Sequence, residues 1–237
     1  MTVLSAHGLT LGYHGQPVVR GLDLHIEPGE VVALLGANGA GKTTTLLGLS
    51  GLVAPMAGEV RIEGRSVNKV APEDRVRLGL AHVPEDRALF ADLTVLENLQ
   101  LGQHSRRKSV DAALDRCPEL RPLLGRRAGL LSGGEQQMLA MARALAAAPK
   151  VLLVDEMSMG LAPLIVERLL GMLQELARDV GCAVLLVEQH VQQALAIADR
   201  GYVLDRGTVS LEGPVEVLRA ESATLEASYL GGTMGAG

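Results

Sequence analysis

The sequence has no tryptophan, one phenylalanine and three tyrosines in 237 residues. So few rings leave little to stack on successive nucleobases, which argues against a nucleic-acid binder. A surplus of positive charge is also missing. The formal net charge is −5, so a general polyanion binder is not expected. The two cysteines, Cys117 and Cys182, stand far apart, without metal-ligand or Cys-x-x-Cys spacing. No disulfide framework is implied, and a reducing compartment fits. Long apolar runs are absent as well. "VVALL", "VLLV" and "AVLLV" are strand-length, against the ~20 residues of a membrane-spanning helix. The N-terminus does not have the charged-then-apolar pattern of a secretory signal. The chain is therefore expected in the cytoplasm, at a membrane only through partners.

The acidic balance has one local exception. Residues 104–127 carry seven Arg or Lys against three acids, a local +4. A solvated helical face explains this; a surface facing lipid headgroups or an acidic partner is the sharper alternative.

What is present is an alternation of short apolar runs and longer helical patterns. "EVVALLG" (30–36) reads as a strand, followed by a glycine loop and a helix from Gly41 toward Ser50. "GEVRIEG" (58–64) and "LGLAHVP" (78–84) read as further strands. Residues 92–128 are helical by pattern, more charged, and broken by Pro118 and Pro122. "KVLLVDE" (150–156), "CAVLLVEQ" (182–189) and "RGYVLDRG" (200–207) return to strands. Continuous apolar strands between helices imply a buried, mostly parallel sheet. The pattern predicts one α/β core, 1–88 plus 148–237, interrupted by a helical insertion. The tail "GGTMGAG" (231–237) reads as loose.

"GANGAGKT" (36–43) fits G-x-x-x-x-G-K-[ST] after a predicted strand. Gly36, Gly39 and Gly41 allow backbone N–H groups to turn inward around phosphates. The helix they open adds about half a positive charge at its N-terminus. Lys42 is expected to reach the β- and γ-phosphates, and Thr43 to place its hydroxyl on Mg²⁺. "VLLVDE" ends a strand in two acids, and ligands of parallel sheets sit beyond the carboxyl ends of strands. Asp155 is thus a candidate for the Mg²⁺ shell. Glu156 is a candidate for orienting or deprotonating an attacking water. His190, at the exit of a third strand, is either a satisfied surface residue or a sensor of the γ-phosphate.

A second glycine pair stands in "LLSGGEQQML" (130–139). Ser132-x-x-Glu135 is a capping box opening a helix over 133–147. An N-capped, glycine-started helix is also an anion site. Because the first loop already surrounds its own triphosphate, the second would serve another copy.

Together these residues resemble the ATP-binding cassette ATPases over essentially the whole chain. Tyr13 matches the aromatic that stacks on adenine. Gly36, Ala37, Asn38, Gly39, Ala40, Gly41, Lys42, Thr43 and Thr44 match the P-loop. Glu85 falls at the lid position and is a further Mg²⁺ candidate. Ser132, Gly133, Gly134, Glu135 and Gln136 match the signature that acts in trans. Val151–Glu156 match the strand carrying the catalytic acids. His190 matches the switch histidine, so Glu156, His190 and Lys42 form the expected catalytic set. The resemblance implies a P-loop NTPase (RecA-like) α/β core with a mostly parallel sheet and an N-terminal antiparallel β part. It also implies one cassette domain over 1–237, with 89–147 as the inserted helical signature subdomain.

"VPEDRALF", "LTVLENL", "SMGLAP", "VEQ", "ADRGYVL" and "YLGG" are similar to the LivF-type subunit of branched-chain amino acid importers. That narrower family implies ATP hydrolysis with Mg²⁺, a second cassette subunit (a paralogue or a second copy) and membrane permease subunits. A periplasmic solute-binding protein enters indirectly, and the chain would sit peripherally on the inner face of the cell membrane. The departures are Glu85 for the usual lid glutamine, Met157 for the usual proline, and Ala162 for the usual aspartate of the Asp-loop. His190 stands where LivF-type chains often carry asparagine. A urea or short-chain amide importer is the alternative, and a soluble cassette ATPase outside transport a more distant one.

Overall fold

The computed structural model describes residues 2–102 and 108–221. Residues 104–107 of the basic stretch, and the C-terminal "YLGG" and "GGTMGAG", lie outside them. The chain begins with strands β1 (Leu4–Tyr13), β2 (Gln16–Ile26) and β3 (Val31–Gly36), then helix α1 (Lys42–Ser50). Strands β4 (Ala57–Ile62) and β5 (Arg65–Ser66), helix α2 (Pro72–Arg77) and strand β6 (Leu80–Val83) follow. Next come α3 (Val95–Leu101), α4 (Lys108–Arg116), 3-10 turns at Pro118–Leu123 and Ala128–Leu130, and α5 (Gly133–Leu145). The last part runs β7 (Val151–Asp155), α6 (Pro163–Val180), β8 (Ala183–Val187), α7 (Val191–Ile197), β9 (Arg200–Asp205), β10 (Thr208–Pro214) and α8 (Val215–Ala220).

Two sheets form. Strands β2-β1-β4-β5 make an antiparallel one, and β10-β9-β3-β8-β7-β6 the larger. In the larger sheet every neighbouring pair is parallel except β9 with the edge strand β10. This is the α/β fold with an antiparallel N-terminal part that the resemblance implied. The β1–β2 hairpin turns through His14 and Gly15, both at positive φ (52° and 78°). Two consecutive left-handed residues match the right-handed twist of the strands they join.

Side chains of the central strands alternate between two cores, as a period of two requires. Ala33, Leu35, Leu152, Val154, Val184 and Leu186 point toward the helices, where they meet α3 to α6. Val32, Leu34, Leu153, Leu185 and Val187 point the other way, toward α1 and the antiparallel sheet. The helices over 92–128 are shorter than their pattern suggested. Pro118 opens a 3-10 turn and Pro122 lies inside it, where an α-helix would lose a hydrogen bond. Within this stretch Arg121 pairs with Asp115, one of its three acids, which leaves the local surplus unchanged.

Helix α6 exposes a correctable weakness. Its N-cap is Ala162, at φ −65° and ψ 143°, with no side-chain cap, followed by Pro163. Those angles suit a capping carboxylate. Ala162→Asp should raise stability by about 0.5–2 kcal/mol. The midpoint of thermal unfolding should rise; an unchanged or lower midpoint would show that the first turn is satisfied already.

Candidate functional site

Register brings the chemistry to one edge. Leu34 of β3 and Asp155 of β7 both pair with Val187 of β8, and Val154 pairs with Val83 of β6. The carboxyl ends of β3, β6, β7 and β8 therefore lie together. The loops after them carry Gly36–Thr44, Glu85, Glu156 and His190, at the position where open parallel sheets bind ligands.

The loop after β3 is glycine-built for two separate reasons. A Cβ on Gly36 (φ 155°) would lie 2.5 Å from the Leu204 carbonyl oxygen, so β9 leaves no room for one. Gly41 (φ 107°) is the left-handed N-cap of α1 and sits against Val19 of β2. That residue offers no side chain to cap the helix, and the first turn contains no acid. The N–H groups of this turn are left for an anion. Ala40 is buried, with its carbonyl accepting from Gly207 and its N–H donating to Ala37. Ala37 is half-buried, while Asn38 and Gly39 form the exposed crest. Thr44 is buried, and Thr43 is exposed toward the cavity it lines.

Lys42 is buried, and its ammonium lies 3.4 Å from a carboxylate oxygen of Glu156. It also donates to the Gly36 carbonyl at 2.8 Å and the Ala37 carbonyl at 3.3 Å. Glu156 adopts φ 42°, rare for a side chain of this kind, and its N–H is tied to the Val187 carbonyl at 2.9 Å. Strain of this sort is held by surrounding structure and concentrates at functional sites.

Beside this pair a cavity of about 450 Å³ is lined by Thr43, Leu47, His82, Pro84, Glu85, Asp86 and Asp155. Burial pushes the Asp155 carboxyl up to about 6, and neighbouring Glu156 and Glu85 push it the same way; Thr43 and Lys42 oppose them. One of the Asp155 oxygens, Oδ1, is buried without a hydrogen-bond partner, an arrangement that suits a cation ligand. Among the described residues no cluster of three or more His, Cys, Asp or Glu could hold a metal by itself. A small divalent ion would take few protein ligands here and fill its shell with phosphate oxygens and water, as Mg²⁺ does. His82 is held neutral by burial, down to about 4.

At the end of β8 the structure adds two residues that sequence reasoning missed. Glu188 is buried and accepts from the Ser158 N–H at 3.1 Å and the Ser158 hydroxyl at 2.6 Å. Burial pushes its carboxyl up, with the Ser158 hydrogen bonds acting against it. This contact ties the segment after Glu156 to the segment before His190. His190 is exposed, caps α7 through its backbone, and its side chain is hydrogen-bonded to none of the described residues. Gln189 beside it is equally exposed. Tyr13 is exposed at the tip of the β1–β2 hairpin, whose second strand packs on Gly41.

The second glycine stretch is elsewhere. Both halves of the capping box form: Ser132 N–H donates to Glu135 at 2.6 Å, and Glu135 N–H to the Ser132 hydroxyl at 3.3 Å. Hydrogen bonding keeps the Glu135 carboxyl below the usual carboxylate range. Gln136 accepts from Arg87 and donates to the Ala128 carbonyl. Among the described residues, none of these bonds joins Ser132–Gln136 to the loop at 36–44 of the same chain.

A sequence model described as ABC transporter matches residues 19–159. The chain is 40% identical over 226 residues to the high-affinity branched-chain amino acid transport ATP-binding protein BraG of Pseudomonas aeruginosa. That match covers 93% of this chain and 96% of the relative. It is 39% identical over 215 residues to a probable branched-chain amino acid transport ATP-binding protein, LivF, of Archaeoglobus fulgidus, covering 89% and 91%. The solved structure of a dimeric bacterial ABC transporter cassette is similar at a TM-score of 0.81 and 27% identity, covering 90% of this chain and 98% of that one. With the P-loop, the paired acids and the second glycine turn in one fold, the chain belongs to the ABC transporter family and is one of its ATP-hydrolysing cassettes.

Proposed function

We propose that this cassette powers a membrane importer of branched-chain amino acids, working as one half of a nucleotide-sandwiched pair. The identity to BraG and LivF supports the cargo. In this reading 1–88 and 148–237 form the nucleotide-binding core and 89–147 the helical signature subdomain. None of the described helices is long and apolar enough to cross a membrane, so permease subunits would supply the passage. The cassette would lie on the cytoplasmic face, and a periplasmic binding protein would deliver the solute. Exposed Phe90, Leu96 and Leu101 offer the permease an apolar surface beside the Glu85 loop.

The observation that carries the paired reading is at Gly133 and Gly134. Neither has a positive φ. Among the described residues, and beyond its own helical turn, a Cβ on Gly133 would come no closer than 3.7 Å to another atom, and one on Gly134 no closer than 3.4 Å. Inside this chain alanine would fit at both positions, and glycine in a helix costs up to about 1 kcal/mol relative to it. The need for glycine then lies outside the chain. A backbone approach by a phosphate bound to a partner supplies that need.

The chemistry follows from the site. ATP binds with its phosphates on the N–H groups of Gly39–Thr44 and its adenine against Tyr13. Mg²⁺ would be held by Thr43 and Asp155, with Glu85 at the rim, and would neutralise charge on the phosphates. A polyphosphate carries more charge than Glu156 and draws Lys42 toward itself. Glu156 is thereby released to orient and deprotonate water, and His190 stands by as the γ-phosphate sensor.

The test is the assembled transporter in membranes. Leucine, isoleucine and valine should bind the cognate periplasmic protein and raise ATP turnover. A binding protein that takes urea or short amides and ignores these amino acids would overturn the cargo assignment.

A further inference from the structure

The loop that carries Glu85 is bolted to α5 by two arginines. Arg87, half-buried, donates through Nε to Gln137 at 2.9 Å and through Nη1 to Gln136 at 2.8 Å. In return Arg143 of α5 donates to the Ala88 carbonyl at 2.6 Å and the Arg87 carbonyl at 3.0 Å. Arg87 and Ala88 sit at φ 66° and 46°, a left-handed pair of non-glycine residues that these bonds hold in place. The guanidinium reaches two amide oxygens from two nitrogens of one rigid plane, whereas a lysine would offer a single nitrogen on a flexible stem. On one side of this clamp, Glu85 and Asp86 line the cavity with Thr43 and Asp155. On the other, Gly133 lies next to the Arg87 Nη2, so a Cβ there would be 3.7 Å from it. Residues 86–88 and the first turns of α5 thus form one body, with Glu85 at its nucleotide end and the glycine turn at the other.

We propose that Arg87 is a positioning residue that transmits occupancy of this chain's own cavity to the glycine turn, and so to the site the turn completes in the partner. This rests on the paired reading above. A shift of Glu85 and Asp86 around bound nucleotide moves Arg87, Arg87 carries Gln136 and Gln137, and the start of α5 is aimed or withdrawn. Coupling between two sites needs such a shared element that both can bias.

The experiment uses the assembled transporter, with hydrolysis confined to one site at a time by substituting the catalytic carboxylate of the other. Arg87→Ala should lower kcat at the partner's site about tenfold, within the range of ordinary coupling. KM for ATP there should change little, turnover at this chain's own site should be kept, and thermal stability should stay near the parent's. Arg87→Lys should fail to rescue, because one nitrogen on a flexible stem does not reproduce the fixed spacing of the two that reach Gln136 and Gln137. Equal losses at both sites with a lowered melting temperature would mean a merely structural clamp and overturn the proposal. Full activity of Arg87→Lys, or of Arg87→Ala, would overturn it too. Ser132→Arg is the control on the reading beneath it. If Ser132→Arg spares the partner's site, the paired reading falls and this proposal with it. If Ser132→Arg abolishes hydrolysis there and Arg87→Ala does not reduce it, this proposal alone falls.

Discussion

Replacing Glu156 with glutamine should leave a protein that folds and binds ATP but turns it over about 10²–10⁴-fold more slowly, the usual contribution of a positioned general base. The substitution keeps size and shape, so the left-handed backbone at φ 42° and the bond from Glu156 N–H to the Val187 carbonyl are not disturbed. Only the charge goes. In this structure that charge holds Lys42 at 3.4 Å. Removing it frees the ammonium for phosphate, so ATP affinity should hold or rise as turnover collapses. Lys42→Ala separates the two effects. It removes the cation that serves the phosphates and leaves Glu156 without its buried partner, so binding and turnover should fall together. Equilibrium binding of a fluorescent ATP analogue and steady-state phosphate release decide the matter. Near-normal turnover in Glu156→Gln would remove Glu156 from the mechanism.

What was legible beforehand divides along a physical line. The strands β3, β7, β8 and β9 announced themselves because a parallel sheet covered on both faces demands continuous apolar runs. The loop at 36–43 was legible because its glycines and lysine act within eight consecutive residues. Strand β10 was not, since half-exposed positions alternate along it and no apolar run results. Helix α2 was not, being six residues long with an arginine that is buried rather than solvated. Arg75 donates to the carbonyls of Gly48 and Leu49, 27 and 26 residues away, and so caps the end of α1. The same limit hid Glu188, whose partner Ser158 is 30 residues distant, and Arg87, whose amide partners are 49 and 50 residues away. Each is a polar group that a linear reading assigns to solvent. Each finds its partners only when segments far apart in the sequence meet, and Arg75 and Glu188 are buried there. The sequence reading did expose the glycines at 133 and 134 as an anomaly. Only the structure could add that their own chain has room for a Cβ at both.

Ser132→Arg should abolish hydrolysis at the site this chain completes in its partner while sparing ATP binding at its own Lys42 loop. The serine is exposed and its neighbours Gly133 and Gly134 present bare backbone at the start of α5. An arginine adds a long side chain where a phosphate must approach the helix, and it removes the hydroxyl that accepts from Glu135 N–H at 3.3 Å. The lost cap alone costs about 0.5–2 kcal/mol, which predicts a lower melting temperature and nothing about one particular site. Ser132→Ala supplies that comparison, because it loses the same cap without the bulk. The two readings of this turn then diverge. If it serves a partner's nucleotide, Ser132→Arg falls far below Ser132→Ala in turnover at the partner's site, and both bind ATP like the parent. If it is only a helix cap, the two variants lose stability alike and turn over alike. Loss confined to this chain's own P-loop would place the turn in cis. That outcome is hard to reconcile with the bonds of Ser132–Gln136, which run to Arg87, Ala128 and one another. Nucleotide trapping at each P-loop of the assembled transporter, with the partner's own signature left intact, distinguishes the three.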